Sequence, residues 1–104
     1  MSFTRNPAPS QTPRIDECDH MLCPHCGGHH ITHERVDVYW RGEDKVQGTH
    51  VCTTSEGTSV DGHMLHNPSA RRWGLNIYFS CEWCGHGSQL SISQHKGHTV
   101  IEHK

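Results

Sequence analysis

The chain has 104 residues, a formal net charge of −2, six Cys and twelve His, and only 32% hydrophobic residues. That length gives one domain as the prior, and so lean a composition needs a disulfide, a metal or a partner copy to hold it together. The charge excludes bulk electrostatic steering onto phosphate backbones, although twelve imidazoles reverse its sign below about pH 6.5.

Residues 1–16 hold Pro7, Pro9 and Pro13 among Ser, Thr, Asn and Gln, the composition of a disordered tail. They lack the apolar middle segment of a secretory signal, and no apolar run in the chain approaches the ~18 residues of a membrane span. The expectation is a cytoplasmic protein with reduced thiols, whose cysteine patterns read as metal sites before disulfides. The ordered domain is expected over 17–104, beginning near Cys18.

From there the pattern is β. In the run H30-I-T-H-E-R-V-D-V-Y-W40, Val36, Val38 and Trp40 share one face of a strand, and Asp37 and Tyr39 share the other. R41-G-E-D44 is a turn. T49-H-V-C-T-T54 is a second, weaker strand rich in β-branched residues. Residues 55–74, with Gly57, Gly62, Asn67-Pro68 and Gly74, read as a long irregular insert. L75-N-I-Y-F79 alternates again, with Leu75, Ile77 and Phe79 together. If Lys96-Gly97 is a two-residue turn, Ile92 faces Ile101 and Gln94 faces Thr99, and Leu90, Ile92 and Ile101 share a buried face. No apolar helical period runs for three turns. The fold class is therefore mainly β.

C23-P-H-C-G-G28 and C81-E-W-C-G-H86 are matched C-x-x-C-G units. Each supplies two thiolates, and together they fill the tetrahedron of one structural Zn²⁺ through Cys23, Cys26, Cys81 and Cys84. Four thiolates around one Zn²⁺ take the loaded chain to about −4. Gly27 and Gly85 follow the second Cys of each unit, where the backbone turns back and its N–H groups face the sulfurs. A redox pair needs its motif at a helix start, and strands surround both units here. The fold expected is a zinc ribbon, antiparallel hairpins around one four-cysteine site, with a long insert between the knuckles. Removing the metal is expected to unfold it. Cys18 reads as a tail thiol and Cys52 as a small buried hydrophobe. H63-M-L-H66 and H29-H-I-T-H33 have metal-compatible spacing, which twelve scattered His also produce by chance.

Three stretches carry a resemblance: the C-P-x-C-G-G opening, N67-P-S-A-R-R-W-G-L-N-I-Y-F-S-C-E-W-C84, and L90-S-I-S-Q-H-K-G-H-T99. Over roughly residues 21–103 the chain resembles a group of small bacterial and phage-borne zinc-ribbon proteins of uncharacterised activity. Members carry N-P-S-x-R-R-x-G-L before an F-x-C-E-x-C knuckle, then L-x-I-x-Q-H-K-G-x-T. The resemblance implies a zinc ribbon and a mobile-element or bacterial setting, and it implies no activity. Trp73 departs from it, standing where members carry a smaller or polar residue.

The function expected is a non-enzymatic binding module, transcription-related or a mobile-element accessory. A protein partner is favoured over nucleic acid, no membrane is involved, and homo-oligomers are allowed. Candidate contacts are Arg71, Arg72 and Trp73 near the second knuckle, Trp83 at its tip, and His95 and Lys96 on the hairpin turn. Each has a plainer role open to it: Trp83 shielding the metal, Trp73 in a core, the arginines neutralising the thiolates. One alternative is a metal-dependent nuclease of the His-Asn-His type, on Asp61, His63 and Asn76. Against it, Gly62 interrupts the Asp-His pair, and a hairpin replaces the helix that would follow the second knuckle. Another alternative is a subunit whose only role is assembly.

Overall fold

A computed structural model of the protein describes residues 12–104. The first eleven residues of the expected tail lie outside this range. Six strands follow one another: β1 (Ile31–Trp40), β2 (Thr49–Thr54), β3 (Gly57–Asp61), β4 (Gly74–Cys81), β5 (Gly87–His95) and β6 (His98–His103). They form one antiparallel sheet in the order β3-β2-β1-β4-β5-β6. The chain thus makes two three-strand meanders, β1–β3 and β4–β6, joined where β1 lies antiparallel to β4. No helix among the described residues is long and apolar enough to cross a membrane.

The C-terminal hairpin has the expected register, Ile92 opposite Ile101 and Gln94 opposite Thr99. Lys96 and Gly97 both take positive φ, 50° and 82°, as a two-residue turn between twisted strands requires. The insert expected over 55–74 is only partly irregular. Its first third is β3, paired to β2 through a two-residue loop that joins Thr54 to Gly57. The β-branched Thr58 and Val60 favour this extension.

Register divides the sheet into two unlike faces. One carries Val36 and Val38 (β1), Val51 (β2), Val60 (β3), Leu75 and Ile77 (β4), Leu90 and Ile92 (β5) and Ile101 (β6). The other carries Asp37 and Tyr39, His50 and Cys52, Asp61, Asn76 and Ser91. The polar face is the covered one. Asp37 and Asn76 are fully buried, and Tyr39, His50 and Ser91 nearly so. The cause is topological. The connection 62–73 must travel from the edge strand β3 to the central strand β4, and it crosses the polar face. The Asn76 amide donates to His66 O at 2.9 Å, and the Ser69 hydroxyl donates to Gln94 O at 2.9 Å. Gly74 leaves room for this crossing, because a Cβ there would meet Asn67 Oδ1 at 2.1 Å.

Under the crossing lies a chain of charges and hydrogen bonds. His50 Nε2 lies 2.6 Å from Asp37 Oδ1, and its Nδ1 lies 2.8 Å from Asp61 Oδ1. The Tyr39 ring stacks on the His50 ring at 4.5 Å and 6°. Arg35 donates to both oxygens of Asp37, at 2.7 and 3.2 Å. Burial alone would raise the Asp37 pKa, yet the Arg35 and His50 hydrogen bonds hold it below the usual carboxylate range. His50 is shifted the other way. Against burial, its two carboxylate partners hold its pKa above the usual value. Burial pushes the Tyr39 phenol up to about 12.

Among the described residues nothing layers over the apolar face. Ile101, expected buried with Leu90 and Ile92, is 45% exposed on the edge hairpin, and Val60 is 65% exposed. Leu90 is buried, while Val36, Val38, Leu75, Ile77 and Ile92 are half-buried. The alternation read from the sequence was correct in register. The covering layer lies on the opposite side from the one hydrophobicity alone would choose.

Candidate metal centre

The first knuckle leads into β1 and the second is the β4–β5 turn. Antiparallel pairing of Ile31 with Cys81 therefore sets the two side by side. Each knuckle folds on itself in the same way. In the first, Gly27 N donates to Cys23 O at 2.9 Å and Cys23 N donates to Gly28 O at 2.8 Å. In the second, Gly85 N donates to Cys81 O at 3.0 Å and Cys81 N donates to His86 O at 3.2 Å. Gly27 and Gly85 take φ of 78° and 74°, the left-handed region in which a side chain would be strained.

Four sulfurs converge from the pair of knuckles, with Cys23 Sγ 3.8 Å from Cys84 Sγ and Cys26 Sγ 3.6 Å from Cys81 Sγ. A disulfide would need about 2.05 Å. A tetrahedral ion with metal–sulfur bonds of about 2.3 Å holds its ligands about 3.8 Å apart. The spacing fits one thiophilic metal ion. Backbone donors already face the sulfurs, His25 N at 3.4 Å from Cys23 Sγ and Gly28 N at 3.4 Å from Cys26 Sγ. The Cys84 amide, helped by that of Trp83, draws the Cys81 thiol down to about 7. The His86 amide acts the same way on Cys84, but burial and the neighbouring thiols override it and push Cys84 up to about 12. Sulfurs this close cannot all ionise without a cation among them. A metal that takes all four as thiolates displaces their protons.

Trp83, at the tip of the second knuckle, is packed on the first. Its ring centroid lies 5.2 Å from that of His29 and 5.0 Å from that of His30. Gly28 makes this approach possible, since a Cβ there would sit 2.4 Å from Trp83 Cε3. The indole still leaves 61% of its surface exposed.

The other candidate contacts lie elsewhere. Arg71, Arg72, Trp73, His95 and Lys96 sit at the far end of the sheet, separated from Trp83 by the length of β4, roughly 25 Å at about 3.3 Å per residue. Arg71, Arg72 and Trp73 are expected near the second knuckle, but the eight-residue β4 carries the chain from Trp73 to Cys81 and sets them at its opposite end. Arg71 pairs through two nitrogens with Asp44, one contact at 2.7 Å, and Arg72 donates to Glu43 at 2.8 Å. The arginines answer the acids of the 42–45 turn, not the thiolates. Trp73 stands edge-on to Trp40 at 5.0 Å. These two indoles border a cleft of about 310 Å³ on the open face, floored by Val38, Leu75 and Ile92. His95 and Lys96 are exposed at the hairpin turn, where His95 pairs with His98.

Asp61, His63 and Asn76 do not share an open site. Asp61 Oδ1 accepts from His63 N at 2.9 Å and bonds His50. Asn76 is fully buried, with its carbonyl oxygen taken by Ser91 and Gln89. Cys18 is exposed. Cys52 is half-buried opposite Asp37, and burial with that carboxylate pushes its thiol up. Sequence reasoning missed the Asp37–His50–Asp61 chain. Its only signal was polar residues at alternate positions in strands that pair. It also missed Asp16, the last residue of the expected tail, and His20 just inside the expected domain. No protein-family model, curated protein or solved structure matches the chain.

Proposed function

We propose that the protein is a non-enzymatic zinc ribbon, a zinc-stapled binding module that docks protein surfaces on the open apolar face of its sheet. Zn²⁺ is the ion assigned to Cys23, Cys26, Cys81 and Cys84, because an all-thiolate tetrahedron is the donor set of structural zinc. The observation that carries the docking reading is the uncovered face itself. Domains normally bury the apolar side of a sheet against a second layer, and this sheet has its layer on the polar side.

The occupant assigned to the face is the same face of a second copy. Its central residues, Val36, Val38, Leu75, Ile77, Leu90 and Ile92, bring no formal charge, so two copies related by a twofold axis oppose no like charges there. Five inter-strand steps of about 4.8 Å and strands about 20 Å long give a footprint of roughly 500 Å². That is at the upper end of the patches monomers leave exposed, about 300–600 Å². It also approaches the ~800 Å² of accessible area that each partner buries in a standard interface. Two such faces stack about 10 Å apart as a sandwich. The cleft between Trp40 and Trp73 accepts a side chain of the partner as an anchor. Nucleic acid is the weaker reading, since Arg71 and Arg72 are paired with acids and the chain is net negative.

Light scattering of the zinc-loaded protein across concentrations tests the assignment. A dimer is expected, and Ile77→Glu is expected to convert it to monomer. Ile101→Glu, on an exposed edge, gives a second readout should the first variant fold poorly. A wild-type monomer at tens of micromolar would remove the self-docking reading.

A further inference from the structure

Beyond the four cysteines, one further set of donor atoms converges among the described residues. Asp16 offers a carboxylate oxygen and His20 and His29 each a ring nitrogen, all within 4.8 Å of one another. We propose that these three residues form a second, open site for a borderline divalent ion of the Zn²⁺, Co²⁺ or Ni²⁺ class, distinct from the thiolate site.

The carboxylate is set for the task. Asp16 Oδ1 accepts N–H bonds from Cys18 at 2.8 Å and His20 at 3.0 Å, which fixes the group and leaves Oδ2 facing His20 Nδ1 at 3.2 Å. The amide of His20 is the largest influence on Asp16, and it prevails over burial, holding the carboxyl below its usual range. The loop that presents Asp16 and His20 is closed. Ile15 bridges Met21, Asp16 N donates to His20 O at 2.9 Å, and Leu22 N donates to Arg14 O at 2.8 Å.

The third donor comes from another segment. His29 follows Gly28, whose carbonyl is tied to Cys23 N within the first knuckle. Its ring stacks on His20 at 5.1 Å and 26°, with His30 at 4.4 Å and Trp83 at 5.2 Å. Metal–nitrogen and metal–oxygen bonds of about 2.0–2.2 Å place donors about 3.4 Å apart around a tetrahedral ion. The Asp16–His20 spacing already meets this, and a rotation of the exposed imidazoles brings the third donor in. Two imidazoles and one carboxylate suit borderline ions rather than Ca²⁺ or Mg²⁺. Three protein ligands leave a position for water or a small anion. Because the knuckle positions His29, the thiolate site loads first and the open site second.

Cobalt separates the two sites, because only the thiolate site gives sulfur-to-metal charge transfer. On titration, the wild-type protein is expected to bind a first equivalent with that absorption and a second, weaker one without it. His20→Ala and His29→Ala are each expected to weaken the second equivalent by at least about tenfold and to leave the charge-transfer band unchanged. Should His29→Ala disturb the band, His20→Ala decides, since its side chain sits on an exposed loop. A single equivalent in the wild type would mean that Asp16 and His20 form an ion pair only. An undiminished second equivalent in both variants would place the ion on other histidines. Either result overturns the assignment.

Discussion

The two faces of the sheet reverse the usual relation between polarity and burial. The covered face holds Asp37, His50, Asn76 and Ser91 beneath the 62–73 crossing, while Ile77, Ile92 and Ile101 line the face left open. Each buried polar group has a partner, which is the condition on which such burial is tolerated. The lesson is that topology chose the covered side. A connection from an outer strand to a central one must cross some face, and its backbone needs hydrogen-bonding partners that the apolar side does not offer.

Neither face then supplies an ordinary core, and the largest prediction follows from that. Stripping the metal with a strong chelator is expected to abolish the cooperative sheet, because folding and site assembly share a free energy of roughly 10–16 kcal/mol in small zinc domains. Circular dichroism through a thermal scan checks it. A chelated protein that keeps a cooperative transition would show that one face suffices as a core. Next in size is Asp37→Ala. It strands Arg35 and His50 without their shared partner, and removing one member of a buried pair typically costs about 3–5 kcal/mol. Denaturant titration of the metal-loaded variant measures this. A loss under about 1 kcal/mol would reduce the covered face to a surface network.

The smallest effect is a pH dependence. The His50 pKa is raised in the folded state, so its contribution is complete below the unfolded value of about 6.5 and is lost as pH rises through the folded one. The pKa values of Asp37 and Asp61 are lowered, so theirs is present above about 3.9 and is lost as pH falls through the folded values. The three together favour stability between about pH 4 and 6.5. With metal saturating, the melting temperature is expected to fall as pH rises above that window. Asp61→Asn is expected to flatten the decline. An unchanged slope in that variant would detach His50 from the charge balance.

Much of this molecule was legible in the residues. The matched C-x-x-C-G units placed all four sulfurs, and Lys96-Gly97 set the last hairpin to the residue, because turn chemistry and ligand chemistry are local. The strand β3 was hidden because it is five residues long, with Val60 its single apolar side chain and a Gly at its start, and pairing with β2 outweighs that weakness. Alternation in β1 separated Val36 and Val38 from Asp37 and Tyr39 correctly. Which side is covered depends on where residues 62–73 travel, and that is not written in β1. Arg71, Arg72 and Trp73, expected near the second knuckle, lie at the other end of β4 for a similar reason, since Trp73 and Trp83 stand ten positions apart on a strand and its turn, not on a compact loop.

The meeting of β1 with β4 also bears on how fast the protein forms. That pairing spans the whole second hairpin and the crossing, so an unliganded chain must close a long loop before the contact stabilises anything. The cysteines stand at the ends of that loop, Cys26 and Cys81 being fifty-five positions apart. A metal captured early holds the ends together and turns a distant encounter into a local one. An ion bound there is expected to set the order of assembly, zipping the central pair outward from the knuckles before either edge has closed.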